Sequence, residues 1–161
     1  MPIELPVRVH ATTIAIAGCA AIIRGASGAG KSDLALRCLM LAPNSLVDQP
    51  AHLVADDYTE LFLQDEALFA RAPEQISRLL EVRGLGIVDL ETTCEAEVVL
   101  VVDLVDAADL SRLPDPSSKV LLVEGFSVAA LRLSISEPSA PAKLLLALDY
   151  VRRNGRLPAL R

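Results

Sequence analysis

The chain has 161 residues, the span of a single domain at ~100–200 residues each. It is 52% hydrophobic and 22% charged, a balance that excludes a disordered chain and leaves a globular one. With 15 Lys+Arg against 21 Asp+Glu, 3% aromatics and no Trp, it lacks the basic surface and stacking platforms of a general nucleic-acid binder.

Met1-Pro2-Ile3-Glu4 carries no basic segment leading into an apolar core, so no signal peptide is expected. The longest apolar runs, residues 13–23 and 98–102, fall short of the ~20 residues of a membrane span. Residues 7–16 and 20–24 read as two strands joined near Gly18 as a hairpin. Residues 33–41 follow with high helix propensity, and Pro43-Asn44 ends that helix. Residues 46–50 form a turn or short strand. Residues 52–55 form a short apolar strand closed by Asp56-Asp57, and 59–63 and 67–70 a hairpin. Residues 73–80 are polar and irregular. Residues 98–104 are almost continuously apolar, as in a strand buried on both faces. Residues 113–118 are a loop, 119–123 and 131–135 strands, and 137–141 a break. Residues 143–153 form a terminal helix stopped by Asn154-Gly155. This is an α/β domain with a mixed central sheet. Cys19, Cys38 and Cys94 are odd in number, with no CxxC pair. They read as buried thiols of a cytoplasmic protein.

One motif carries the strongest chemistry. Gly25-Ala26-Ser27-Gly28-Ala29-Gly30-Lys31-Ser32 matches G-x-x-x-x-G-K-[ST] in full, with a strand before it and a helix after it. Small residues let the backbone wrap a phosphate with its N–H groups pointing inward. The helix N-terminus adds positive potential there. Lys31 reaches the β- and γ-phosphates, and the Ser32 hydroxyl helps to hold Mg²⁺. A nucleoside triphosphate with Mg²⁺ is therefore expected. The chain is short and has no N-K-x-D, which argues against a GTPase switch.

Such a loop needs a strand-end carboxylate beside the metal and another that orients the nucleophile. Three apolar strands end in acids: 53–55 at Asp56-Asp57, 98–102 at Asp103, and 120–123 at Glu124. By hydrophobicity alone, the strand ending at Asp103 suits the metal best. The Asp56-Asp57 pair differs, because neighbours on an extended strand point to opposite sides, one to metal and one to acceptor. If residues 80–87 are extended, Glu81 and Arg83 share a face, with Gly84 and Gly86 bringing backbone N–H groups near it. His10 and His52 read, taken alone, as structural or catalytic histidines near strand starts.

Val9-His10-Ala11, the phosphate loop followed by Asp33, then Leu53-Val54-Ala55-Asp56-Asp57, then Leu80-Glu81-Val82-Arg83-Gly84-Leu85-Gly86-Ile87-Val88-Asp89 form a series. Together they resemble the catalytic domain of bacterial HPr kinase/phosphorylase, closely over residues 10–89 and weakly to about residue 147. The E-[IV]-R-G-L-G-I stretch is the most specific part. The resemblance implies a P-loop-containing kinase domain of the HPr kinase/PEP carboxykinase-like fold, spanning residues 1–161. It implies an ATP- and Mg²⁺-dependent transfer to a serine of HPr, the small phosphocarrier of the sugar phosphotransferase system, and the phosphorolytic reverse reaction. Carried over by position, Lys31 is the phosphate-binding lysine, and Ser32 and Glu81 are magnesium ligands. Asp57 is the base for the seryl hydroxyl, with Asp56 as its metal-side neighbour. His10 is an accessory catalytic residue and residues 82–90 line the site. Leu110-Ser111-Arg112-Leu113 stands where the family has D-R-L-G, which makes Arg112 a catalytic candidate. The family assembles as a hexamer, so a homo-oligomer is expected.

The chain also departs from the family. Its P-loop starts at residue 25, which matches short alphaproteobacterial-type forms without the N-terminal domain. The stretch from Lys31 to Asp57 is several residues longer than usual. Residues 137–143, where the family has a loop rich in Gly and Arg tied to dephosphorylation, contain neither. Two other readings fit a phosphate loop: a small-metabolite kinase and a non-catalytic ATP-sensing module.

Overall fold

A computed structural model of the protein describes residues 5–159. The readings made for residues 1–4, and the last two residues of the 1–161 domain, lie outside that range. Eleven strands and two α-helices follow one another: β1 Val7–His10, β2 Thr12–Ile16, β3 Cys19–Arg24, α1 Lys31–Leu39, β4 His52–Ala55, β5 Tyr58–Gln64, β6 Ala67–Arg71, β7 Leu79–Val82, β8 Gly86–Asp89, β9 Glu95–Leu104, β10 Lys119–Val123, β11 Phe126–Leu133 and α2 Ala140–Asn154.

Nine of the strands form one mixed sheet in the order β1-β5-β6-β9-β3-β2-β4, with β11 on β9 and β10 on β11. The pairs β3–β9 and β9–β11 are parallel, and the others are antiparallel. The sheet curls, because β1 leads straight into β2 and β4 into β5, so its two ends meet. At that seam the Thr13 and Thr59 hydroxyls bond at 2.8 Å. β7 and β8 form a separate hairpin.

Two cores follow from strand alternation. Ala21 and Ile23 of β3 face α1 and α2 and pack with Leu34, Cys38, Leu100, Val102, Leu144 and Leu148. Ala20 and Ile22 point into the curl with Val54, Leu61, Leu68, Val98 and Val101. β9 shows the sequence logic within a single strand. Glu95, Ala96, Glu97 and Val98 alternate exposed and buried, whereas Leu100, Val101 and Val102 are all buried. The change comes where β9 lies between β3 and β11 and both of its faces are covered.

The structure corrects several boundaries. The single strand read over 7–16 is two strands with different partners, broken at Ala11. The Ala11 N–H bonds the Asp57 carbonyl at 3.0 Å rather than a ladder neighbour. The helix read over 33–41 starts at Lys31 and ends at Leu39. Residues 46–50 contain no strand, and 73–80 contain a 3-10 turn, Glu74–Ile76, followed by the start of β7. Residues 83–85 are a turn rather than extended, so Glu81 and Arg83 do not share a strand face. β9 begins at Glu95 and β11 at Phe126, earlier than read. Pro141 does not break the chain but sits in the first turn of α2, where a missing N–H costs nothing. Gly155 stops α2 in the left-handed conformation, φ 72°, as expected.

The cysteines differ more than their sequence contexts indicate. Cys38 is buried in α1 and Cys19 half-buried, but Cys94 is exposed. Burial pushes the Cys38 thiol up to about 12 from its usual 9.0. It pushes Cys19 up as well, with the nearby Glu97 charge adding to the shift. A thiol reagent at pH 8 should therefore label Cys94 quickly and Cys19 slowly. Cys38, with a thiolate fraction of about 1 in 10⁴, should react only on unfolding. The neutral Cys38 thiol favours the folded state fully below its unfolded value near 9.0, and that contribution declines as pH rises towards 12. Peptide mapping after timed alkylation reads the order, and fast Cys38 labelling in the native protein contradicts it.

Candidate active site

β3 delivers its chain into the phosphate loop, and α1 starts directly after it. Gly28 and Gly30 take positive φ, 80° and 100°, which turn the loop back on itself. At Gly30 an added Cβ would also press on the Ile135 side chain, which would have to shift. Ile135 is held there by its carbonyl, which accepts from Arg37 Nη2 at 3.0 Å. Lys31 is 6% exposed, and its Nζ donates to the Gly25 and Ala26 carbonyls at 3.0 and 3.1 Å. The loop, α1, the β4–β5 connection and the β7–β8 hairpin enclose a cleft of about 440 Å³. His10, Ser27, Lys31, Ser32, Asp57 and Glu81 are among its lining residues.

Asp56 and Asp57 separate completely. Asp56, 6% exposed, directly follows β4 and accepts three hydrogen bonds. Ser32 Oγ donates to its Oδ1 at 2.6 Å, Thr12 Oγ1 to the same oxygen at 2.9 Å, and the Glu81 N–H to Oδ2 at 3.0 Å. With its proton committed to Asp56, Ser32 keeps its oxygen lone pairs free. Asp57 lies one residue further at φ 65°, in a three-residue turn closed by Tyr58 N–H donating to the Asp56 carbonyl at 2.7 Å. This turn, rather than the alternation of an extended strand, sends the two carboxylates apart. Asp57 is 61% exposed at the cleft, and its Oδ1 lies 2.9 Å from His10 Nε2. The chain break at Ala11 places His10 there, at the end of β1 opposite Tyr58.

The other two strand-end acids are used differently. Asp103 is held by Arg24 through two bonds, Nε to Oδ1 at 2.8 Å and Nη2 to Oδ2 at 3.0 Å. That bond raises the Arg24 guanidinium further above its ordinary value. The pair ties the strand entering the phosphate loop to β9, and Asp103 is not among the cleft residues. Glu124 is exposed in the β10–β11 turn. His52 is exposed at the start of β4. The structure does not bring Arg112 to the cleft. It lies exposed beyond β9 and lines a separate cavity of about 810 Å³ with residues of β11 and α2. Of residues 82–90, only Val82 and Arg83 line the cleft. In the region compared with the dephosphorylation loop, Lys143 pairs with Glu137 across the first turn of α2.

Sequence reasoning missed Thr12, whose signal was slight: a threonine two residues after His10. It also missed Ile135, which closes the loop from above. Among the described residues no three His, Cys, Asp or Glu side chains group as a metal site. Ser32 and Glu81, both lining one cleft, carry oxygen donors that fit a cation that takes most of its ligands from phosphate and water, as Mg²⁺ does. Among the described residues no helix is long and apolar enough to cross a membrane.

The chain is 42% identical over 93 residues to the HPr kinase/phosphorylase of Geobacillus thermodenitrificans, covering 57% of this chain and 28% of that protein. It is 40% identical over 92 residues to the HPr kinase/phosphorylase of Bacillus subtilis, covering 56% of this chain and 27% of that protein. These matches thus span little more than a quarter of those relatives' length. The solved structure of the Hpr(Ser) kinase/phosphatase from Coxiella burnetii superposes with a TM-score of 0.73 at 22% identity, over 92% of this chain and 93% of that one, which establishes a shared fold. The family described as HPr Serine kinase C-terminal domain matches residues 4–147, and the chain belongs to that family.

Proposed function

We propose that this chain is the catalytic domain of an ATP- and Mg²⁺-dependent kinase that phosphorylates a serine of HPr. The observation that carries the reading is the Ser32–Asp56–Glu81 bonding beside an exposed Asp57–His10 pair, all opening on one phosphate loop. A metabolite kinase and an ATP sensor share the loop. Membership of the HPr kinase family and the Asp57–His10 pair favour a protein seryl hydroxyl as acceptor.

In this reading the N–H groups of residues 28–32 and Lys31 hold the nucleotide phosphates. Ser32 and Glu81 hold Mg²⁺, which neutralises phosphate charge. Asp57 takes the proton of the incoming seryl hydroxyl, a poor nucleophile without a base in reach. His10 holds the Asp57 carboxylate towards the acceptor. Asp56 positions Ser32 and stays out of proton transfer, because both its oxygens are already occupied by donors. Arg112 and a homo-oligomer belong together in the proposal, since Arg112 is remote from the cleft of its own chain. A reduced, cytoplasmic setting suits the three free thiols.

The test is intact-protein mass spectrometry of HPr after incubation with the chain, ATP and Mg²⁺. A gain of one phosphate on serine is expected, and it should disappear in Lys31→Ala. No gain with wild type, where ATP binding is shown separately, refutes the reading. Asp57→Asn should bind ATP normally and lose about 10²–10⁴-fold in transfer rate. Asn tolerates the left-handed backbone there. Near-wild-type transfer would remove Asp57 as the base. Asp56→Ala leaves three donors without their acceptor, so its melting should show a loss of about 2–3 kcal/mol, together with weaker Mg²⁺-dependent nucleotide binding. A melt matching wild type contradicts that.

A further inference from the structure

Resting on the phosphoryl-transfer reading of the cleft, we propose that Arg83 is a ligand of the transferring phosphate, supplied in cis from the tip of the β7–β8 hairpin. Among the described residues it is the only arginine that lines the cleft. Its Nη2 stands 4.0 Å from the point a Cβ on Gly28 would occupy, directly over the phosphate loop. Arg8, Arg24, Arg37, Arg71, Arg78, Arg152 and Arg153 each pair with a carboxylate. Arg83 takes no such partner among the described residues, although Glu81 is two positions away.

The hairpin is built to hold it there. The turn is closed by the Leu85 N–H donating to the Val82 carbonyl at 2.9 Å, with Gly84 at φ 84°. Its base is fixed by the Glu81 N–H on Asp56, the same carboxylate that orients Ser32. The guanidinium is therefore geared to the metal-side carboxylate. Its planar fork suits two oxygens of one phosphate, which a point-charge ammonium does not match. In the transfer, the seryl oxygen–phosphorus bond forms and the bond from phosphorus to the β,γ-bridging oxygen breaks. The electron pair leaves with the nucleoside diphosphate and the proton goes to Asp57. Arg83 keeps its proton throughout and stabilises the charge on the phosphoryl oxygens.

The test compares MgATP and MgADP affinities by calorimetry, and single-turnover transfer to HPr, in the full chain. Wild type, Arg83→Ala, Arg83→Lys and the hairpin control Arg78→Ala are measured. Expected are a wild-type preference for ATP that shrinks about tenfold in Arg83→Ala, and a transfer rate about 10³-fold lower. Millimolar guanidinium should restore part of that rate. Arg83→Lys should recover less than a tenth of it, and Arg78→Ala should keep the wild-type preference. Equal wild-type affinities for ATP and ADP, or an unchanged preference in Arg83→Ala, overturn the assignment. An ATP preference that depends on Arg83, in a chain that transfers nothing to HPr, keeps the assignment and removes the HPr reading. A wild type that binds neither nucleotide removes both.

Discussion

One carboxylate organises the cleft. Asp56 accepts from Ser32, Thr12 and the Glu81 backbone, which lie 24, 44 and 25 residues away in the chain. Each donor belongs to a different unit: the phosphate loop and its helix, the strand β2, and the β7–β8 hairpin. In a buried setting a donor left without an acceptor costs roughly 1–3 kcal/mol, so the three units are held in mutual register by a single side chain. The same bonds set the chemistry. Ser32 gives its proton inward and keeps its lone pairs, and the Glu81 backbone is fixed at the rim of the cleft.

Adjacent to that buried acceptor stands a carboxylate with the opposite environment. Asp57 is at positive φ, a conformation that Asp and Asn tolerate better than other side-chain-bearing residues. The Ala11 N–H, where β1 passes into β2, bonds the Asp57 carbonyl and ties this turn to the sheet. The seam of the curled sheet is thus also what presents Asp57 and His10 side by side. A continuous strand over residues 7–16 would carry His10 along the sheet and away from this turn.

How much of this was legible in the sequence depends on how local each cause is. The phosphate loop is a contiguous pattern, and the strand before it and the helix after it stand where the sequence indicates. The Asp-Asp pair is also visible, but the reason its members diverge is not, because the turn at Asp57 is anchored by the Ala11 backbone from a distant part of the chain. The choice among three strand-end acids failed on hydrophobicity for a physical reason. Apolar content reports how deeply a strand is buried, as β9 is, and says nothing of what its last side chain meets. Asp103 meets Arg24, 79 residues away, and only the parallel pairing of β3 with β9 brings the two together. Pro141 misled because proline stops a helix in its interior but starts one at its first turn.

The charge balance of the cleft follows from the same arrangement. The chain carries a net −6, and three acids, Asp33, Asp57 and Glu81, line the cleft, with Asp56 behind them. Against them stand Lys31, Arg83, the inward N–H groups of the loop and the N-terminus of α1. Arg37 is spent on Asp33, at 3.1 Å, and on the Ile135 carbonyl. A bare triphosphate would meet more negative than positive side-chain charge. A triphosphate that arrives with a divalent cation reverses that balance, since the carboxylates then face the metal while the lysine, the arginine and the amides face the phosphates. In the proposed reading the acids are therefore as much a part of nucleotide selection as the loop is, and they would favour the metal complex over the free anion.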